Sequence, residues 1–399
     1  MTKSEKISLL AASIVGINAM IGAGVFAIPA LLANQAGPAS IFTALIIIFF
    51  VMCIGLSLGR CAEIYPGGGW NYLYPAKWAG HLVGMLSSFL YLFGVVIGMG
   101  FLVQQLGVWF NGIFPFLHPN AIGIIVLLCL MGLVLAGAKT SSWAQYAIAV
   151  LVVTPLLVAT IFGFLNLDYK VLTPFIPFGT ISIFKAIPTV LFILLGFESI
   201  ISLYGIMHNP KKNVPLAFII SISVVGLIYT LFVAAILFSV PIKFFSAGVN
   251  ETLSSVLLKV YPSAKFLSPI IFVGAVFGII GTLHSMLWSL SELFTSLLDR
   301  TKSKFVHMLL RKNIWNDRVS VVVITALMIG AAFCGDLLVP LTSVFMIPSY
   351  IVSIFALLLV KKEWISGRNI ITLFGVFGSG LMFYFAYIGS IPKILSYFF

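Results

Sequence analysis

Two apolar segments of this chain contain glycine where a membrane-spanning helix would be expected to continue. The segments are Gly22–Gly24 and Leu195–Glu198. Each glycine lowers helix preference by about 1 kcal/mol relative to alanine, so both segments are candidates for a break in the helix. Broken backbone at membrane depth must line a cavity inside the protein, where its free amide and carbonyl groups bind polar solutes. For the first segment, close packing of helices on small residues is an equal alternative.

The backbone at such a break suits a solute that carries both charges. A half-helix that begins after the break presents free N–H groups and the positive end of its dipole, which favour a carboxylate. The carbonyl groups that precede the break favour an ammonium group. The sequence therefore predicts a site for a small zwitterion.

Glu198 is the one carboxylate placed deep within a predicted span, two residues after Gly196. A charge buried in the membrane costs on the order of several kcal/mol, so such residues usually have a function. We interpret Glu198 as a candidate for proton exchange. The alternative is that it caps broken backbone or pairs with a neighbouring group.

Two further side chains near these segments are candidates for binding. His284 is an ionisable group inside a predicted span and is a functional candidate on that ground, although a histidine bonded to a backbone carbonyl fits the sequence as well. Phe192 lies one turn before Gly196 and could cover a bound solute. Ordinary packing is the alternative, since the chain has 36 phenylalanines.

The composition is that of an all-α membrane protein, with 61% hydrophobic residues, 8% charged residues and a mean hydropathy of +1.18. Apolar runs long enough to cross a bilayer cover nearly the whole chain and leave no room for a separate soluble domain. The eleven predicted spans are Ile7–Ala33, Ala39–Ser57, Leu82–Phe110, Ala121–Ala138, Trp143–Phe164, Ile183–Ile206, Pro215–Phe238, Phe266–Leu298, Val319–Phe333, Leu338–Val360 and Ile370–Ile388.

The distribution of basic residues predicts the orientation. With a cytoplasmic N-terminus, 16 of the 22 Lys and Arg residues fall inside, which is the bias that orients helical membrane proteins. The first apolar run is too long for a signal peptide, so we expect it to be retained. The net charge of +12 is thus mainly topological, and nucleic acid is not an expected partner. The loop Asp299–Arg318 is interpreted as a solvated connection, with contact to anionic lipid heads as the alternative.

A spacing is shared by the two glycine segments. Pro38 follows Gly24 by 14 residues, and Pro210 follows Gly196 by the same 14 residues. The sequence therefore predicts an internal repeat. The four cysteines lie singly without metal-ligand spacing, so no metal site, disulfide or cofactor is predicted.

Four motifs together resemble one family. They are Gly16–Phe26, which ends Ile-Gly-x-Gly-Val-Phe; the Tyr-Pro, Gly-Gly and Tyr-x-Tyr pattern of Ala62–Tyr74; Phe192–Ser199; and Asn-Pro-Lys-Lys-Asn-Val-Pro at Asn209–Pro215. In this order they are similar to the amino acid, polyamine and organocation transporters, with the basic amino acid and polyamine antiporters as the nearest branch.

The resemblance implies the leucine-transporter-type fold, with a 5+5 inverted repeat and broken helices in spans one and six. The whole chain, 1–399, is then one transporter domain with repeats at about 7–166 and 183–361 and an extra helix at about 370–388. Family members usually have twelve spans, so the chain departs from the pattern there. It also has no lysine in span five.

The resemblance also implies roles for individual residues. The substrate site would comprise Met20, Ile21, Gly22, Ala23, Gly24, Phe192, Leu195, Gly196 and His284. Amides near Gly22, Ala23 and Gly24 would take the substrate carboxylate, and carbonyls near Met20, Phe192 and Leu195 would take its α-amino group. Phe192 would act as the gate and Glu198 as the proton-coupling residue.

The expected function is therefore alternating-access transport of an amino acid or its amine across the cytoplasmic membrane. Antiport is the first hypothesis and proton symport the second. A channel is the rival of another class, as is an intramembrane enzyme, which the sequence disfavours because it contains no Gly-x-Ser-x-Gly or His-Glu-x-x-His motif. The identity of the amino acid or polyamine, and whether the chain forms a homodimer, are left open.

Overall fold

The computed structural model describes residues 6–22, 24–111, 116–245, 253–301, 308, 316–334, 339–359 and 368–398. Over these residues the chain is helical and has no β-strand beyond a single bridge between Ile7 and Met207. The prediction of an all-α protein is confirmed.

Fifteen α-helices are described in these ranges. The first six are α1 (Leu9–Met20), α2 (Gly24–Gln35), α3 (Ser40–Ile64), α4 (Trp70–Asn111), α5 (Pro119–Leu135) and α6 (Ala138–Leu165). The next five are α7 (Ile181–Lys185), α8 (Ile187–Leu194), α9 (Ser199–Ser202), α10 (Pro210–Ser239) and α11 (Leu253–Val260). The last four are α12 (Leu267–Leu298), α13 (Asp317–Ala332), α14 (Val339–Leu359) and α15 (Arg368–Phe398).

A helix lies in each of the eleven predicted spans. Six of the described helices are long and apolar enough to cross a membrane by themselves, and α1 with α2 forms a seventh span that bends by 48°. The sixth predicted span is divided among α7, α8 and α9. The chain is thus a multi-pass membrane protein.

Local sequence signals explain several helix starts. Ser8 caps α1 by accepting a hydrogen bond from the Ala11 amide at 3.2 Å. Pro210 is the first residue of α10, where a missing amide proton costs nothing, and Pro38 lies in the short 3-10 helix that leads into α3.

The third span differs from its predicted bounds. A start at Leu82 was expected, but helix begins at Trp70 and is interrupted at Gly80, whose φ is 83°. Only glycine adopts this left-handed conformation without strain. The segment before Gly80 is held by Trp70, which is fully buried.

The broken helices lie at the centre of the fold. α1 packs against α10, α12 and α6, and most of its residues are buried. Gly16 of α1 touches Ile200 of α9, where a β-carbon would stand 2.6 Å from the Ile200 side chain. The two breaks are therefore brought together by close helix packing.

Candidate functional site

The first break begins at Ile21, whose φ of −84° and ψ of 82° end α1. The Ile21 amide still donates to Ile17, and the Gly22 amide turns back to donate to the Met20 carbonyl at 3.0 Å. Helix resumes at Gly24. Ala23, which was assigned to the site from sequence, lies outside the described residues.

The second break lies between α8 and α9. Leu195 is extended, with φ −61° and ψ 144°, and Gly196 has a φ of 112°. The backbone of Phe192 belongs to α8, but its side chain lies outside the described part of the structure. The role of Phe192 as a gate therefore stays a prediction.

A cavity lies where the two breaks meet. It offers about 90 Å³ of free space, where roughly 10–15 Å³ suffices for one water molecule. It therefore has room for more than a single water molecule. Five residues predicted from sequence line it: Met20, Gly22, Gly24, Leu195 and Gly196.

Two other predicted residues do not line this cavity. Ile21 is fully buried in the first break, and His284 faces away into a separate polar cluster. A substrate contact by either residue would need a different conformation.

The opposite wall of the cavity was missed from sequence. It is formed by two helices outside the glycine segments, α4 and α14. Their contributions are Val95, Gly98, Met99, Phe101 and Leu102 from α4, and Thr342 and Met346 from α14. The positions in α4 have helical spacing, and Gly98 allows the contact with Thr342, whose Cγ2 would stand 2.9 Å from a β-carbon there. Gly98 was therefore the sequence feature that could have indicated this contact between α4 and α14.

Tyr229 of α10 connects the carboxyl ends of the two interrupted half-helices. Its hydroxyl lies 2.9 Å from the Met20 carbonyl and 3.4 Å from the Ile193 carbonyl, and it donates toward both. Carbonyls at helix ends have no partner within their own helix. Tyr229 thus donates to backbone carbonyls at both breaks. One of them is the Met20 carbonyl, which was predicted to face an ammonium group and which also accepts from the Gly22 amide.

Glu198 is completely buried beside the second break. Its Oε1 accepts a hydrogen bond from Tyr91 at 3.0 Å, and its Oε2 accepts one from the Gly196 amide at 3.1 Å. Tyr350 interacts with the same carboxyl group. Glu198 therefore joins the break to α4 and α14, and it does not line the cavity.

Nearly the whole sequence matches one protein-family profile. A profile described as amino acid permease matches residues 7–396. The chain belongs to the amino acid permease family. The resemblance inferred from the four motifs is confirmed.

Three curated proteins are similar to this chain in sequence. The aspartate-proton symporter of Bacillus subtilis is 30% identical over 259 residues, 61% of this chain and 50% of that protein. An uncharacterized transporter of Mycobacterium tuberculosis is 23% identical over 293 residues, 72% of this chain and 64% of that protein. Cationic amino acid transporter 5 of Arabidopsis thaliana is 26% identical over 236 residues, 54% of this chain and 41% of that protein.

The chain therefore spans about half the length of these relatives, between 41% and 64%. The relatives are transporters, not enzymes. The similarity to transporters, together with the lack of hydrolase and metalloprotease motifs in the sequence, disfavours an intramembrane enzyme.

A buried polar cluster connects three helices of this permease. Asn18 of α1 donates to the Gln145 carbonyl of α6 at 2.9 Å and also contacts the Gln145 side-chain oxygen. The Gln145 amide in turn lies 2.7 Å from His284 Nδ1 and 2.9 Å from the Ser285 hydroxyl, both on α12. Gln145 was not singled out from sequence, although it is the lone amide side chain in span five.

Two polar atoms of this cluster are buried without a hydrogen-bond partner among the described residues. Since Nδ1 of His284 accepts from Gln145, the ring proton lies on Nε2, which has no partner among the described residues. Asn18 Oδ1 likewise has no hydrogen-bond partner among the described residues. Thr282 of α12 donates to the Asn18 carbonyl at 3.1 Å. The cluster therefore holds α1 against α6 and α12 just before the first break.

A cluster of buried aromatic rings lies next to the second break of this permease. Four buried rings form what we term the aromatic seal: Trp70, Tyr91, Phe197 and Tyr350. Trp70 lies 5.2 Å from Tyr91 and 6.0 Å from Tyr350, and Phe197 lies 5.4 Å from Tyr350, measured between ring centroids. Beyond them the Ile7 amide donates to Ile206 at 2.8 Å, and the His208 amide donates to Ile7 at 3.0 Å.

Metal binding finds no support in the described ranges. No group of three or more His, Cys, Asp or Glu residues is close enough there to hold an ion. The polar groups at the cavity are instead backbone amides and carbonyls and two threonine hydroxyls, of Thr282 and Thr342.

Proposed function

We propose that this protein is a secondary carrier that moves an amino acid across the cytoplasmic membrane by alternating access. The observation that supports the proposal is the meeting of two interrupted helices at one cavity. The N-terminus of α2 contributes Gly24 to its lining, and the end of α8 contributes Ile193 and Leu195. Amides at the start of a helix suit a carboxylate, and carbonyls at the end of a helix suit an ammonium group.

The proposed binding mode uses the residues assigned from sequence. The substrate carboxylate binds the amides near Gly22 and Gly24, and the α-amino group binds the carbonyls near Met20 and Leu195. In this structure the Met20 carbonyl accepts hydrogen bonds from the Gly22 amide and from the Tyr229 hydroxyl. We therefore expect the substrate carboxylate to replace the bond of the Gly22 amide, and the ammonium group to share or replace the bond from Tyr229.

Antiport is the coupling mode that we propose first. Liposomes containing the purified chain and preloaded with unlabelled amino acid should accumulate the labelled amino acid transiently and saturably. Equal uptake into empty and preloaded liposomes would contradict exchange. Uptake that rises linearly with concentration would indicate a channel.

Proton symport is the second candidate, and the burial of Glu198 at the break favours it. A relative is named as a proton symporter, which makes the same coupling worth testing here. Under this proposal an inward proton gradient drives net uptake, and Glu198→Gln abolishes the dependence of uptake on pH. A pH response unchanged in Glu198→Gln would exclude Glu198 as the proton site.

We further propose that the chain contains two inverted repeats, at about 7–166 and 183–361, followed by an extra helix at about 370–388. Pro38 and Pro210 each stand just before or at the start of the helix that follows a broken one. The repeat relation predicts opposite orientations for α1 and α8. With the N-terminus inside, as proposed from the basic residues, a cysteine added near Lys6 should react with impermeant thiol reagents only from the cytoplasmic side.

A further inference from the structure

We infer that the cavity selects amino acids with a neutral, apolar side chain, such as leucine or methionine. The inference rests on the proposed carrier function and specifies its substrate class. It is carried by the composition of the cavity wall that faces the two breaks. That wall is where the side chain of a bound amino acid must point, because the breaks hold its charged groups.

Apart from the Thr342 hydroxyl, the described residues of the facing wall are apolar. From α4 come Val95, Met99, Phe101 and Leu102, and from α14 comes Met346. Among the described residues that line the cavity, none carries a charge. A charged substrate side chain placed there would lose its hydration without gaining a counter-charge, and the free energy of binding would suffer accordingly.

Glu198, the nearest buried carboxyl group, does not supply that counter-charge for a basic substrate. Both of its oxygens accept hydrogen bonds from inside the protein, from Tyr91 and from the Gly196 amide. It is completely buried and does not line the cavity. A lysine, arginine or polyamine would therefore leave a cation unpaired in the cavity.

An acidic substrate has no partner in the cavity either. His284 uses Nδ1 to accept from Gln145 and packs beside Trp288 at 6.3 Å between ring centroids, outside the lining. Thr342 contributes a hydroxyl that has no partner among the described residues. One hydroxyl can bond a polar atom but does not neutralise a carboxylate.

Four methionines widen the range of apolar side chains that the cavity can accept. Met20, Met99, Met286 and Met346 line the cavity from four different helices. Methionine is flexible and polarizable, so such a surface adapts to several linear and branched side chains. The inferred substrates thus differ from those that the names of two relatives give, which are aspartate for the Bacillus protein and cationic amino acids for the Arabidopsis protein.

The test is exchange in liposomes that contain the full chain and are preloaded with unlabelled leucine. Labelled leucine should exchange, and external methionine should compete with it. Aspartate, arginine and spermidine should compete at least about a hundredfold more weakly. Exchange of aspartate or arginine without competition from leucine would overturn the inference and leave the carrier function standing. Absence of exchange with every amino acid, from protein that unfolds cooperatively, would overturn both.

A pair of variants tests the location of the side-chain pocket. Met99→Ala should raise the apparent KM for leucine and methionine about tenfold, because one or more apolar contacts are lost, and should change the KM for alanine less than twofold. Met328→Ala is the matched control, since Met328 is fully buried in α13 away from the cavity. An equal effect of Met99→Ala on all three amino acids, or an equal effect of Met328→Ala, would show that α4 does not contact the substrate side chain.

Discussion

Gly196 stands against the carbonyl of Ala19, so that a β-carbon on Gly196 would lie 2.5 Å from the Ala19 oxygen and 3.0 Å from Met286 Cε. Real β-carbons do not approach a carbonyl oxygen this closely. The contact joins the second break to the end of α1, one residue before Met20. The two breaks are therefore packed directly against each other, without room for a side chain between Gly196 and Ala19.

Gly196→Ala should abolish exchange and destabilise the fold. The added methyl group meets the Ala19 carbonyl, and the φ of 112° is unfavourable for any residue with a β-carbon. We expect a loss of about 1–3 kcal/mol in the free energy of unfolding, measured by thermal unfolding in detergent. Gly132→Ala is the control, because nothing lies within 4 Å of its β-carbon position. A fully active Gly196→Ala variant would contradict the contact.

Tyr229→Phe should impair exchange more than stability. The change removes one hydroxyl that serves the Met20 and Ile193 carbonyls, at a cost of about 1 kcal/mol. The shape of the ring is retained. Exchange kinetics and thermal unfolding are to be compared with those of Tyr384→Phe, whose ring is exposed on α15. Equal kinetics for the two variants would show that bridging the half-helix ends is unimportant.

The breaks themselves could be predicted because glycine acts locally. Gly22, Gly24 and Gly196 weaken their helices whatever surrounds them, and the structure interrupts helix at both segments. The burial of Glu198 could also be predicted from the sequence, since a carboxylate within a long apolar run has to be placed inside the protein.

The facing wall of the cavity could not be predicted in the same way. Val95, Met99 and Met346 are apolar residues in apolar spans, and only the packing of α4 against α14 turns them toward the breaks. The position of His284 depended likewise on the partner that it found in Gln145 across helices. Such pairings are properties of the tertiary structure.

The Asn18–Gln145 contact should show coupling in a double-mutant cycle. Gln145→Leu removes the side-chain oxygen that Asn18 contacts and leaves His284 Nδ1 without its partner, which costs about 1–3 kcal/mol, while the Asn18 amide keeps its hydrogen bond to the Gln145 backbone carbonyl. Asn18→Leu added to it should cost less than the sum of the single changes, because the second change removes a group that has already lost its side-chain partner.

Unfolding free energies of the three variants and of the starting protein complete this cycle. Ser142→Ala serves as the control in the same helix, since its hydroxyl bonds only Ala138 of α6. Strict additivity of Asn18→Leu and Gln145→Leu would mean that the cluster does not hold α1 in place.

The aromatic seal should control access from the side of Ile7. Trp70 is fully buried and donates to the Ser202 hydroxyl at 3.2 Å. Trp70→Phe removes this hydrogen bond and part of the ring contact with Tyr91, so opening of the seal becomes less costly. We expect a cysteine placed behind the seal to react about tenfold faster with an impermeant thiol reagent.

Ser199→Cys is a suitable reporter for this measurement, because Ser199 is fully buried and its hydroxyl has no partner in the described part of the chain. The exposed Cys129 and Cys334 are first changed to serine, whereas Cys53 and Cys61 are buried and can remain. Trp143→Phe, at a ring that is 66% exposed, should leave the labelling rate unchanged. If Trp70→Phe also left it unchanged, the rings would pack the fold without governing entry, and the barrier on this side would have to lie at the Ile7–Ile206 and His208–Ile7 hydrogen bonds.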